Sequence, residues 1–128
     1  MVIDTSALAA VLFDEPERPV FLARIAADGT LLISAATLVE AGVLVEARRG
    51  ESAGRELDLF LHRAGVLCVA LDERQATLAR SAWRRFGKGR HPAALNLGDC
   101  FSYALARARG EPLLFKGDDF SRTDIVPA

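Results

Sequence analysis

Met1-Val2-Ile3-Asp4-Thr5-Ser6-Ala7 opens the chain, and its reading decides the fold. Met1 to Ile3 is a short, apolar, β-prone run, and it halts at Asp4-Thr5-Ser6, residue types that end a strand and cap a helix with side-chain oxygens. A helix is expected to follow over Ala7 to Phe13. Asp4 is thereby stationed at the carboxyl end of a very short strand.

The same alternation continues outward. Pro16 stands near the start of a helical stretch with Phe21, Leu22 and Ile25 on one side, broken at Asp28-Gly29. Thr30 to Ile33 reads as a buried strand. Thr37 to Arg49 then repeats Leu38, Val39, Val43, Leu44 and Ala47 at helical spacing, and Glu51 to Ala64 carries Leu57, Phe60 and Leu61 before Gly65. Val66 to Val69 is a third strand candidate. Asp72-Glu73-Arg74-Gln75 resembles a capping box opening a helix through Trp83 and Phe86, and Gly87 to Asn96 is a basic, Gly- and Pro-containing loop. Gly98 to Arg109 reads as a helix with Phe101, Leu105 and Ala108 inward, stopped by Gly110 ahead of the strand Leu113 to Phe115. The tail adds a short strand around Ile125 and Val126. Strands of three or four apolar residues separated by helices predict an α/β fold with a short-stranded, mainly parallel sheet covered on both faces.

At 128 residues and 51% hydrophobic, the chain has the size of one domain, 1–128, with material for a core. Its 16 basic and 17 acidic side chains leave a formal charge of -1, so nucleic acid must be bound locally rather than by an overall positive field. Cys68 and Cys100 lie in apolar stretches, form no CxxC pair and read as small core residues, which fits a reducing cytoplasm. The apolar start is interrupted by Asp4 and lacks a basic leader, so neither an export nor a membrane segment is expected.

In an open α/β sheet, ligands bind at the carboxyl ends of the strands, which gives Asp4, and Asp118 and Asp119 after the fourth strand, priority over acids on helix surfaces. Glu40 and Asp99 stand in otherwise apolar surroundings, where an ionised carboxylate is costly unless paired or bound to a metal. Each has a plainer reading. Asp4 caps the helix after it, Glu40 completes a Thr37-x-x-Glu40 capping box, and Asp99 favours the positive end of its helix. Together, however, they would converge on one crevice, where like charges repel and call for a cation. Oxygen-only ligation suits Mg2+ or Mn2+ rather than zinc. His62 and His91 read as a helix-face and a loop residue. Neither Ser6 nor Ser34 has a histidine partner for a nucleophilic triad.

The opening Met1 to Ala7, the Ser34 to Glu40 segment, Leu97-Gly98-Asp99-Cys100 and the ending Leu113-Leu114-Phe115-Lys116-Gly117-Asp118-Asp119-Phe120 resemble, in order and across nearly the whole chain, the motifs of VapC-type PIN-domain toxins. The resemblance implies a PIN-like α/β/α sandwich, a Mg2+- or Mn2+-dependent endoribonuclease, and metal ligands at Asp4, Glu40, Asp99 and, by the Asp-Phe form of the last motif, Asp119. Gly117 stands where many members carry an acid or Asn, which keeps Asp118 a competitor. Thr5 and Ser6 would orient Asp4 or a metal-bound water. The expected reaction is metal-assisted phosphodiester hydrolysis, with Asp99 or Asp119 accepting the water's proton.

RNA needs positive charge beside such a site. The Arg84-Arg85 to Lys88-Gly89-Arg90-His91 run supplies the densest, with Arg85, Lys88, Arg90 and also Lys116 as weak candidates against the plainer reading of a solvated face. Trp83, Phe86 and Tyr103 read as core rather than stacking platforms. The resemblance further implies a homodimer and a VapB-like antitoxin whose basic tail residue meets Asp4, Glu40 and Asp99. Leu38, Val45, Leu57, Leu59 and Leu61 offer apolar surface for these contacts. Two rivals remain: a phospho-receiver domain, against which the single acid after the first strand argues, and a non-catalytic PIN-like interaction module.

Overall fold

Period-two alternation in three short strands sets the layers of the molecule. In the computed structural model, which describes residues 1–128, Val2, Leu32 and Leu113 face one side of the sheet while Ile3, Ile33 and Leu114 face the other, each joining a separate apolar cluster. The chain order is β1 (Val2–Ile3), α1 (Thr5–Leu12), α2 (Arg18–Ala27), β2 (Leu32–Ser34), α3 (Ala35–Arg49), α4 (Glu51–Ala64), β3 (Leu67–Val69), α5 (Glu73–Phe86), α6 (Leu97–Arg109) and β4 (Leu113–Leu114). All strand pairs are parallel, in the order β3-β2-β1-β4. Helices α1 to α4 supply one layer and α5 and α6 the other, the expected α/β/α sandwich.

The order carries a functional consequence. From β1 the sheet grows outward through β2 to β3, then the chain returns to add β4 on β1's other side, so a crevice opens at the carboxyl end of β1. Beyond β4 the tail makes a single parallel bridge, Leu113 with Pro127, in place of the strand expected around Ile125 and Val126. Tyr103, Arg85 and Arg107 gather on Asp124 to hold it: the tyrosine hydroxyl donates to Asp124 at 2.7 Å and Arg85 at 3.1 Å. The carboxyl of Asp124 is held low by these bonds against the opposing effect of burial.

Several local expectations are corrected. Helix α3 starts at Ala35, capped by the Ser34 hydroxyl, rather than at Thr37, and it buries Thr37, Ala41 and Val45 while Val39 and Val43 stand 68% and 64% exposed. Large apolar side chains suggested the wrong face because the inner face uses small ones, which let α3 approach the sheet closely. Val45, Leu57 and Leu61 are core rather than docking surface, and Leu59 is exposed. Asp72 caps α5 by accepting from the Gln75 N–H, but the Gln75 amide turns to the Ala70 carbonyl, so half the capping box forms. In α6 the inward residues are Gly98, Cys100 and Ser102 to Ala106, with Phe101 and Ala108 only half-buried. Cys100 is buried as expected, whereas Cys68 is exposed because β3 is an edge strand whose side chains are only partly covered. Trp83 is exposed; Phe86 and Tyr103 are buried.

The reassigned face of α3 is testable. Val45→Ala, at 1% exposure, should lower unfolding free energy by about 2 kcal/mol, from two buried methyl groups and the space they leave. Val43→Ala should stay within about 0.5 kcal/mol. Urea unfolding of both variants measures this, and equal losses would overturn the assignment of faces.

Candidate active site

Asp4 follows β1 directly and is 2% exposed. As N-cap of α1 it accepts from the Ser6 backbone at 2.9 Å and the Ser6 hydroxyl at 2.6 Å on one oxygen. The Ser102 hydroxyl donates to the other oxygen at 2.6 Å, and Ser102 in turn lies 3.2 Å from the Thr37 hydroxyl. The capping duty is real, and three neutral donors satisfy the carboxylate without supplying a positive charge. Ser6 does what was expected of it. Thr5 instead donates its hydroxyl to Glu40.

Glu40 lies in the second turn of α3 and takes no part in its N-terminal cap; the capping-box reading fails because the helix begins earlier. Its carboxylate reaches across to α6, where Gly98 leaves room for it. A Cβ at position 98 would fall 1.6 Å from Glu40 Oε2. Asp99, one residue on, forms the true capping box of this end of the molecule: Asn96 accepts from the Asp99 N–H and Asp99 Oδ2 accepts from the Asn96 N–H, both at 2.9 Å.

Burial pushes the Asp99 carboxyl up to about 7, opposed by the Asn96 hydrogen bond and reinforced by the negative charges of Asp4, Asp119 and Glu40. Three other acids thus bear on the charge of Asp99. Asp119 enters that field and Asp118 does not. Both are exposed after β4; Asp119 stands ahead of a 3-10 turn over Phe120–Arg122 with no side-chain cap bond, and the Asp118 carbonyl accepts from the Ser121 hydroxyl.

Asp4, Thr5, Ser6, Glu40, Asn96 and Asp99 line a pocket of about 420 Å3 at the sheet's carboxyl end. No three of the acids close onto one point as a finished ligand cage. The donor set nonetheless fits a hard divalent cation: it is all oxygen, it is crowded with negative charge, and Glu40 Oε2 and Asp99 Oδ1 accept no protein hydrogen bond. No histidine or cysteine lines the pocket. His91 Nδ1 accepts from the Ala93 N–H and closes its own loop, and His62 is exposed on α4. Burial holds the Cys100 thiol at about 11, which removes it as a nucleophile.

The basic candidates separate. Arg85 is committed to Asp124 and the Tyr103 hydroxyl, and Lys116 to Glu15 and Glu17. Lys88 and Arg90 are exposed, the Arg90 guanidinium lying 4.3 Å from the centre of the Trp83 ring. A larger groove of about 630 Å3 between α5 and α6, lined by Trp83, Leu97 and Phe101 among others, is mainly apolar and holds no acid. Sequence reasoning missed Asn96, Gly98 and Ser102. The spacing Asn96-x-x-Asp99, and a serine inside the apolar run from Cys100 to Leu105, are the signals that pointed to two of them.

The PIN domain family model matches residues 1–126. Ribonuclease VapC30 of Mycobacterium tuberculosis is 58% identical over 126 residues, covering 98% of this chain and 96% of that protein. Ribonuclease VapC of Mycolicibacterium smegmatis is 56% identical over 126 residues and 98% of each. Among solved structures, the Sarcin-Ricin loop cleaving toxin VapC20 of Mycobacterium tuberculosis superposes with a TM-score of 0.80 at 20% identity, over 99% of this chain and 97% of that one. VapBC2 from Rickettsia felis, bound to a DNA fragment from its promoter, gives 0.76 at 16% identity, over 98% and 94%.

Two outcomes test this geometry. Asp99 in the folded chain holds a proton up to about 7, whereas its ordinary value is 3.8. Without divalent ions, stability should therefore fall as pH rises between these values, because the unfolded chain releases this proton first. Asp99→Asn should flatten that dependence in urea unfolding from pH 4 to 8 in EDTA, and an unchanged profile would remove Asp99 from the charged cluster. Gly98→Ala should unfold within about 1 kcal/mol of the wild type, alanine being the better helix former. Its methyl displaces the Glu40 carboxylate, so cleavage of RNA should drop about 100-fold. Full activity in this variant would show that Glu40 need not occupy its place.

Proposed function

The chain belongs to the PIN-domain family, among the VapC ribonucleases, and from that premise we propose that its acidic pocket is the catalytic centre of a Mg2+- or Mn2+-dependent endoribonuclease, the toxic half of a toxin-antitoxin pair. The observation that carries the reading is the pocket that gathers Asp4, Glu40 and Asp99 with no histidine or cysteine, where burial, reinforced by the charges of Asp4, Asp119 and Glu40, raises the Asp99 carboxyl to about 7. A structural module has no use for such crowding, whereas a site that binds a cation and moves a proton near neutral pH does. This disfavours the non-catalytic alternative. The phospho-receiver alternative falls with the family match and with the pairs of helices after β1, β2 and β3.

In this reading Asp4, Glu40, Asp99 and Asp119 hold the metal. A bound divalent cation supplies acidity to an attacking water and offsets negative charge growing on the phosphate. The protein's own part is positional. Ser6 and Ser102 fix both oxygens of Asp4, Thr5 fixes Glu40, and Asn96 fixes Asp99. Asp99 or Asp119 would accept the water's proton. Of the weak RNA candidates, all exposed, Lys88 and Arg90 are the ones not tied up in an ion pair, unlike Arg85 and Lys116.

A VapB-type antitoxin is the partner class that the relatives support. Its basic tail residue would meet Asp4, Glu40 and Asp99 through charge-assisted hydrogen bonds. Homodimer formation is carried by the resemblance alone, since Val45, Leu57 and Leu61 are core residues. No helix is long and apolar enough to cross a membrane.

RNA cleavage should vanish in EDTA and return with Mg2+ or Mn2+. Asp119→Asn should lose about 100-fold in rate, in the range of other electrostatic catalytic groups, while Asp118→Asn stays within about threefold. Gel-based cleavage assays with both variants decide it. Persistent cleavage under excess chelator would remove the metal, and the reverse ordering would move the fourth ligand to Asp118.

A further inference from the structure

Glu40, Leu44 and Arg48 recur at i, i+4 and i+8 on one face of α3, and all three line the acidic pocket. Arg48 is one of two cations there, Lys116 being the other. They are in opposite states. The Lys116 ammonium is held by Glu15 and Glu17, its charge spent within the protein. Arg48 makes no ion pair; its guanidinium lies 4.8 Å from the centre of the Phe13 ring. No hydrogen bond or ion pair within the protein occupies its N–H groups, the part that recognises oxyanions in pairs.

We propose that Arg48 is a phosphate-binding residue of the nuclease, gripping the RNA backbone at a phosphate next to the one cut. This rests on the nuclease reading above. Two turns of helix place the Arg48 backbone about 12 Å along the axis from that of Glu40, on the same wall of the pocket. The need is electrostatic. A polyanion must enter a pocket lined by Asp4, Glu40 and Asp99 in a chain of formal charge -1, and Arg48 is the cation of that lining without an ion pair.

Arg49 supplies the control. Its guanidinium lies at the same 4.8 Å from Phe13, but it does not line the pocket. Arg48→Ala and Arg49→Ala are compared with the wild type in steady-state cleavage of a short single-stranded RNA, and in fluorescence anisotropy with the same RNA, labelled, across a salt series. Arg48→Ala should raise KM about tenfold with kcat little changed, and reduce the salt slope of binding by about one; Arg48→Lys should recover part of the loss, and Arg49→Ala should match the wild type. An Arg48→Ala variant with wild-type KM and salt slope overturns the inference while leaving the nuclease reading intact. Equal losses at Arg48 and Arg49 also overturn it, by tracing the effect to the Phe13 contact. A wild-type chain that neither binds nor cuts RNA overturns both readings.

Discussion

A carboxylate at the dry end of a parallel sheet must be satisfied without being neutralised, and the arrangement of this molecule follows from that constraint. Asp4 is 2% exposed, where an ionised group lacking partners is very costly. An arginine beside it would solve the problem and cancel the negative charge of the pocket. The chain instead uses a backbone N–H and the hydroxyls of Ser6 and Ser102, donors that pair with lone pairs and add no net charge. Lys116, the ammonium nearest this end, is occupied by two glutamates. Negative potential is thus preserved where β1, α3 and α6 meet.

That demand reaches into the scaffold. Thr37 occupies a fully buried place on α3 because it meets Ser102, which meets Asp4; a larger apolar residue would pack but break the relay. Gly98 keeps α6 close enough for its capping box to stand beside Glu40. Asp119 is carried by the exposed stretch from Lys116 to Asp119, and its position is defined from both ends. Upstream, the Lys116 N–H donates to the Ser6 hydroxyl; downstream, Asp124 is tied to Tyr103 and Arg85.

The architecture and three of the acids were legible because they rest on local chemistry: brief apolar strands, breaks at Gly65 and Gly110, and acids interrupting apolar runs. Alternation alone indicated the parallel sheet. The helical phase of α3 was not legible, since hydrophobicity ranks Val39 and Val43 above Thr37 and Ala41, while the packing selects size and one hydrogen bond. Trp83 and Cys68 were misplaced for a related reason: a run of apolar residues does not disclose that its strand or helix lies at the margin of the fold. Ser102 and Gly98 act through partners distant in sequence, Asp4 and Glu40, and only the folded chain brings those pairs together. The choice between Asp118 and Asp119 rests on motif form; of the two, Asp119 is the one whose charge bears on Asp99.

Strand β3 pairs with β2 on one side and with nothing on the other, and it exposes Leu67 and Cys68. An open edge carrying apolar side chains is the usual starting point for intermolecular strand addition and, from there, for fibrous aggregates. Here its brevity is the safeguard. Three residues between the left-handed turn at Gly65 and the departure into α5 offer an incoming strand too few backbone donors and acceptors to repay its loss of conformational freedom. Lengthening this strand by insertion, rather than changing its composition, is the alteration that would turn a tolerated margin into a template for self-assembly.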